Sequence, residues 1–149
     1  MKIRLATPKD LPEIAELFCE YGQYEHNLDK NVEAPKLKEE QEQNKAHMNL
    51  GTKYILLEEE GKIVGILNFN IDKRGKEKVG VLHTLIITKA ARGKGYGGKL
   101  VDFAFSNFKK QGCRRVRTFI HFANKNAQGF WKKYGFNLEH GYIASRRLK

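Results

Sequence analysis

Apolar and polar positions change their period several times along the chain, and the changes predict a β-α-α-β-β-β-α-β-α-β order. Ile3 and Leu5 flank Arg4 with the two-residue alternation of a short strand. Asp10 precedes Glu13 by three residues with Pro12 between them, which reads as a helix start with an acidic capping box. Ile14, Leu17, Phe18 and Tyr21 follow at helical spacing and give that helix one apolar face. Positions 22–35 are polar and read as a loop. Positions 36–49 read as a second, very polar helix with only Leu37, Ala46 and Met48 to bury.

The next stretch predicts three antiparallel strands. Tyr54-Ile55-Leu56-Leu57 is followed by a turn to Gly61, a hairpin partner over 62–71, a charged turn over 72–76, and a strand over 79–88. That last strand is apolar almost throughout and is therefore central. A helix over 97–111 carries Leu100, Val101, Ala104, Phe105 and Phe108 on one stripe. Positions 115–122 alternate as a strand, parallel to the one before the helix because that helix is the crossover between them. A short helix over 124–134 and a closing strand over 137–148 complete the pattern. The fold class expected is α/β (α+β): a mixed central sheet of about six strands flanked by helices, built as one domain over 1–149.

Composition narrows the function classes. Hydrophobic residues form 40% of the chain, enough for a core, and charged residues are interspersed with them, so disorder is not expected. No stretch approaches the roughly 18 apolar residues of a membrane span, and the start turns polar at once without a secretory apolar region. A cytoplasmic protein without membrane attachment is the expectation. Cys19 and Cys113 lie in periodic segments and read as buried thiols, which leaves no disulfide framework and no metal site. The formal net charge of +11 raises the question of nucleic acid. The basic residues are spread along the chain, so a basic surface or an anionic ligand is the preferred explanation.

The densest signal is Arg92-Gly93-Lys94-Gly95-Tyr96-Gly97-Gly98, between the central strand and an amphipathic helix. Glycines bring backbone amides close to a ligand, and the helix start adds unsatisfied N–H groups suited to an anion. Three phosphate motifs compete. Gly93, Gly95 and Gly98 fit the dinucleotide fingerprint, but no carboxylate follows at the end of the next strand, Ile120-His121-Phe122. Gly93, Gly98 and Lys99 nearly fit a P-loop, but Leu100 stands where a hydroxyl should reach Mg²⁺. The third pattern, [RQ]-x-x-G-x-[GA], is filled by Arg92, Gly95 and Gly97.

With that third pattern the chain resembles the GNAT (Gcn5-related N-acetyltransferase) superfamily over nearly its whole length. The resemblance also rests on the opening Ile3–Thr7 with Asp10-Leu11, the segment Gly61–Gly65, the stretch Leu85–Leu100, and Asn124–Phe136. It implies an acetyl-CoA-dependent N-acetyltransferase, acting by direct attack of a primary amine in a ternary complex, without a metal. It further implies that Arg92, Gly93, Lys94, Gly95, Tyr96, Gly97 and Gly98 hold the pyrophosphate of acetyl-CoA. The strand Leu85, Ile86, Ile87 would pair with the pantetheine arm, and Asn124 would contact that arm. Asn124 equally suits a helix N-cap.

The family often places a Tyr directly after the position of Phe130, to protonate the departing thiolate; here that residue is Trp131. Tyr134, one helical turn on, is the substitute acid. His83, two residues before Leu85, is the candidate base, with an intrinsic pKa suited to neutral pH. Tyr21, Tyr24, Glu25 and His26 cluster where the acceptor amine would approach. The replacement at Trp131 also motivates an alternative, a catalytically inactive acetyl-CoA-binding or sensing module. The acceptor's identity is open between small amines and peptide amines; a homodimer is compatible with the family, and nucleic acid is not the expected partner.

Overall fold

The computed structural model describes residues 1–138, in two compact units, 1–119 and Ile120 onward. The first unit holds a five-stranded sheet in sequence order. Its strands are β1 (Lys2–Leu5), β2 (Lys53–Glu59), β3 (Lys62–Arg74), β4 (Glu77–Ile87) and β5 (Arg115–Thr118). Neighbours are antiparallel except β4 and β5, which run parallel. The helix between those two, α3 (Tyr96–Lys110), is the crossover that the sequence requires. The described residues thus hold five strands, and the closing strand expected over 137–148 falls almost wholly outside them.

The core is sheet plus two apolar helix faces. Helix α1 (Leu11–Leu28) buries Ile14, Ala15 and Leu17, and Ile14 and Leu17 join Tyr54, Leu56, Ile63 and Ile66 of the sheet in one cluster. Helix α3 buries Leu100, Val101, Ala104 and Phe108. The Phe108 ring stands edge-on to Phe69 at 5.1 Å and occupies the space above Gly80. A Cβ at Gly80 would lie 2.7 Å from three atoms of that ring, so β4 needs glycine there for α3 to dock.

Three local expectations are corrected. The cap preceding α1 is formed by Thr7 and Asp10, not Asp10 and Glu13: the Asp10 carboxylate accepts the Thr7 N–H at 2.7 Å and a double hydrogen bond from Arg4. Arg4 holds that carboxyl down at about 2. Glu13 instead accepts the Ile63 N–H at 3.1 Å. The first helix also runs on through 22–28, where a loop was expected. Polar pairs such as Gln23 with Asn27, four residues apart and 3.1 Å between side chains, support the helix there without an apolar period.

The third correction concerns α2 (Leu37–Asn49). Leu37 and Ala46 are exposed, Met48 packs on the core cluster, and the one buried residue is Asn44. The Tyr54 hydroxyl donates to the Asn44 side-chain oxygen at 2.9 Å, and the Asn44 amide donates to the Glu40 carbonyl at 2.7 Å. Burial pushes the Tyr54 hydroxyl up to about 12, so it stays a donor. This helix is fastened to the sheet largely by a buried polar contact.

The second unit contains α4 (Lys125–Lys133). Asn124 is its N-cap, accepting the Ala127 N–H at 3.1 Å. Trp131 is buried and meets Phe130 and Phe136 edge-on.

Candidate active site

The site grows from an irregularity in the sheet. Leu67 pairs with Leu85 and Phe69 with Leu82, so His83 and Thr84 of β4 together oppose Asn68 of β3. This is a bulge, which bends a strand and re-aims its side chains. The displaced Thr84 N–H is taken by the Asn68 side-chain oxygen at 2.8 Å, and Asn68 is itself buried. A polar side chain thereby replaces the missing ladder bond.

Beyond the bulge, β4 has a bare edge. Strand β5 stops at Thr118, opposite Leu82, so among the described residues no strand flanks β4 on that side from His83 to Ile87. In an antiparallel ladder successive residues direct their backbone groups to opposite sides. The Thr88 N–H bonds the Val64 carbonyl on β3, which turns Ile86 the same way and points Leu85 and Ile87 toward the bare edge. The Ile87 carbonyl there accepts the Arg92 Nε–H at 3.1 Å.

Directly after β4 comes the glycine loop. Gly93 and Gly95 have φ of 79° and 76°, the left-handed region that side chains disfavour, and Gly95 is the N-cap of α3. The N–H groups of the first turn of α3 emerge from this loop, with the positive end of the helix dipole behind them. The Tyr96 hydroxyl donates to Glu59 at 2.6 Å, and Lys94 reaches the same carboxylate at 3.3 Å. The ammonium groups of Lys94 and Lys99 lie 5.7 and 6.0 Å from the centre of the Tyr96 ring. Two cations are thus held at the mouth of an amide-rich turn. The arrangement offers a diphosphate both backbone N–H donors and two cations.

On its other side the bulge opens into a cleft of about 340 Å³ between α1, α2 and the sheet. Phe18, Glu40, Gln43, Asn44, His47 and Thr52 line it, with Asn68, Asn70, His83 and Thr84 from the sheet. His83 Nε2 is 2.6 Å from the Asn70 side-chain oxygen, which also accepts the Thr52 hydroxyl at 3.0 Å. The His83 ring keeps solvent contact, yet the walls remove enough water to lower its pKa, and the nearby His47 adds to that against the opposing pull of Asp72. Glu40 is shifted the other way, upward, chiefly by its loss of water.

Residues 11–136 match the sequence model of the Acetyltransferase (GNAT) family. The chain belongs to that family. An uncharacterized N-acetyltransferase of Methanocaldococcus jannaschii is 34% identical over 89 residues, a match that covers 56% of this GNAT chain and 38% of the relative. The chain therefore spans well under half the length of that curated relative. Among solved structures, a Bacillus halodurans protein determined as a tetramutant superposes with a TM-score of 0.85 at 16% identity, covering 99% of this chain and 100% of that one. A possible acetyltransferase from Clostridium difficile gives 0.84 at 15% identity, with 99% and 97% covered. These similarities establish the fold.

Within this GNAT fold the residues singled out in the sequence fall into four places. Leu85 and Ile87 face the bare edge, whereas Ile86 is buried and its backbone is turned to β3. Arg92 to Gly98 form the loop and the first turn of α3. His83 lines the cleft, whereas from α1 the cleft wall is Phe18, with Tyr21, Tyr24 and Glu25 farther along that helix outside it. Tyr21 and Tyr24 contact each other at 6.3 Å, and His26 Nδ1 lies 2.6 Å from the Val32 carbonyl. In the second unit, Asn124 caps α4 and Tyr134 stacks on Phe130 at 5.0 Å. The cleft residues the sequence reading missed are Glu40, Gln43, Asn44, His47, Thr52, Asn68, Asn70 and Thr84, with Phe18 read as a core position. The one available signal was Asn68 and Asn70 sharing a face of an otherwise apolar strand.

Proposed function

We propose that the protein transfers an acetyl group from acetyl-CoA to a primary amine bound in the cleft, by direct attack in a ternary complex. The observation that carries this reading is the double use of β4. Among the described residues, no strand pairs with one side of β4 at Leu85 and Ile87, which leads straight into the glycine loop. The bulge two residues earlier turns His83 into the polar cleft. A donor lying along the edge and an acceptor in the cleft would meet at the bulge.

In this reading the amides of Gly93 to Gly98 hold the pyrophosphate, with Lys94 and Lys99 adding charge. Leu85 and Ile87 pair with the pantetheine arm, and the family resemblance gives Asn124 a contact with that arm. Acetyl-CoA supplies a thioester. A β4 N–H near Ile87, directed to the edge, polarises its carbonyl. His83 takes one proton from the acceptor's ammonium, whose pKa near about 10 would otherwise leave it protonated, and the neutral amine attacks. The new C–N bond forms as the C–S bond breaks, Tyr134 gives a proton to the thiolate, and the second proton lost by the nitrogen restores the Tyr134 phenol. Its support is its place one turn after Trp131, where the family's usual acid is replaced.

Isothermal calorimetry with acetyl-CoA, together with thiol release in an amine panel, tests this reading. Micromolar binding and amine-dependent release of CoA are expected, and absence of any CoA binding would overturn it. A second reading, a cofactor-sensing module without turnover, is motivated by Trp131. Tight acetyl-CoA binding with no turnover of any amine would favour it.

A further inference from the structure

The cleft is small, and its lining side chains are mostly of polar types. Its volume of about 340 Å³ lies at the lower end of small-molecule sites, which are lined mostly by apolar side chains. Among the described residues Phe18 is the one apolar aromatic wall, against amides, hydroxyls, imidazoles and a carboxylate. Several of these groups are already used: Asn44 binds Tyr54 and the Glu40 carbonyl, and the Asn68 oxygen binds the bulge. The Gln43 amide, the Asn70 amino group and His47 remain as recognition groups, beside the Glu40 carboxylate, which already interacts with Asn44 and His47. A hydrocarbon amine filling this space would strip their water without replacing its hydrogen bonds, and a site built this way rejects ligands lacking the matching groups.

Charge adds a second restriction. Among the described residues Glu40 is the only carboxylate lining the cleft, and it is half-buried. One ammonium is matched by it, and Asp72, which acts on His83 through space, is not part of the lining.

We propose that the acceptor is a compact primary monoamine carrying several hydroxyl or amide groups, of amino-sugar or amino-alcohol chemistry, with Glu40 receiving its ammonium. The proposal rests on the cleft being the acceptor site. Glu40 attracts the protonated amine, the hydroxyls satisfy Gln43, Asn70 and His47, and deprotonation by His83 then releases the nucleophile for transfer of the acetyl group.

The test compares kcat/KM at saturating acetyl-CoA for glucosamine, serinol, cyclohexylamine, spermidine and a lysine-containing peptide, and measures glucosamine binding by calorimetry in the presence of CoA. Glucosamine or serinol should exceed cyclohexylamine, spermidine and the peptide by about 100-fold or more. Turnover that is best with cyclohexylamine, spermidine or the peptide would overturn the acceptor class while leaving acetyl transfer intact. Glucosamine binding without turnover would uphold the class and overturn acetyl transfer; neither binding nor turnover of glucosamine and serinol would overturn the class. Glu40→Gln should raise KM for the amine about tenfold with KM for acetyl-CoA unchanged, and an unchanged amine KM would remove Glu40 from the proposal.

Discussion

The Asn70 side-chain oxygen sits 2.6 Å from His83 Nε2 while accepting the Thr52 hydroxyl at 3.0 Å. An oxygen that already takes one proton donor meets the imidazole as an acceptor, so Nε2 carries the hydrogen and Nδ1 keeps the lone pair. His83→Ala should therefore lower kcat by about 100-fold or more if His83 is the base. Asn70→Ala should lower kcat without changing KM for acetyl-CoA, and ¹⁵N NMR should report loss of the fixed tautomer. The pH profile has a definite sign. The His83 pKa lies below its ordinary 6.5, so the neutral base is present at pH 7 and kcat/KM falls only on the acid side of that value. Asn70→Asp places a carboxylate against the ring, favours the charged imidazolium, and should move the acid limb to higher pH. An unmoved limb would show that another group titrates.

Two glycines of the same architecture should fail in different ways. Gly95 has φ of 76° with no atom near its missing Cβ, so Gly95→Ala costs about 1 kcal/mol of backbone strain and loosens the turn that presents the amides. Calorimetry should find weaker acetyl-CoA binding with only a small loss of stability. Gly80 has an ordinary strand conformation but faces the Phe108 ring at 2.7 Å. Gly80→Ala should cost about 1–3 kcal/mol in denaturant melts through overpacking. If Gly80→Ala melted like the parent, the docking of α3 on β4 would be wrongly described.

The contrast explains how much the sequence could disclose. The glycine loop was legible because its function is carried by backbone, and the need for left-handed conformations at Gly93 and Gly95 is written directly in residue type. The parallel β4–β5 pair followed from one helical crossover. The cleft was hidden for the opposite reason. Glu40 and His47 lie on a helix with almost no apolar period, Asn70 and His83 on separate strands, and Thr52 before a third. A two-residue bulge brings them together, and no periodic signal encodes it. The extension of α1 escaped notice likewise, since Gln23 and Asn27 stabilise it locally without an apolar face. Phe18, counted as a core position, became the cleft wall instead of Tyr21, Tyr24 and Glu25.

The attachment of α2 should be separable from the chemistry. Tyr54 and Asn44 are both buried, and their hydrogen bond is the internal partner of the Asn44 oxygen. Tyr54→Phe keeps the ring that meets Phe18 edge-on at 6.1 Å but removes the donor. The stranded oxygen should cost about 1–3 kcal/mol in denaturant melts. Because Asn44 also ties Glu40 through its carbonyl, α2 should shift and KM for the amine should rise. The bare edge of β4 and the glycine loop lie on other elements, so acetyl-CoA affinity should hold within about twofold, the scale of an unconnected site. Equal losses for amine and acetyl-CoA would mean that the polar fastening of α2 supports the whole first unit and not the cleft alone.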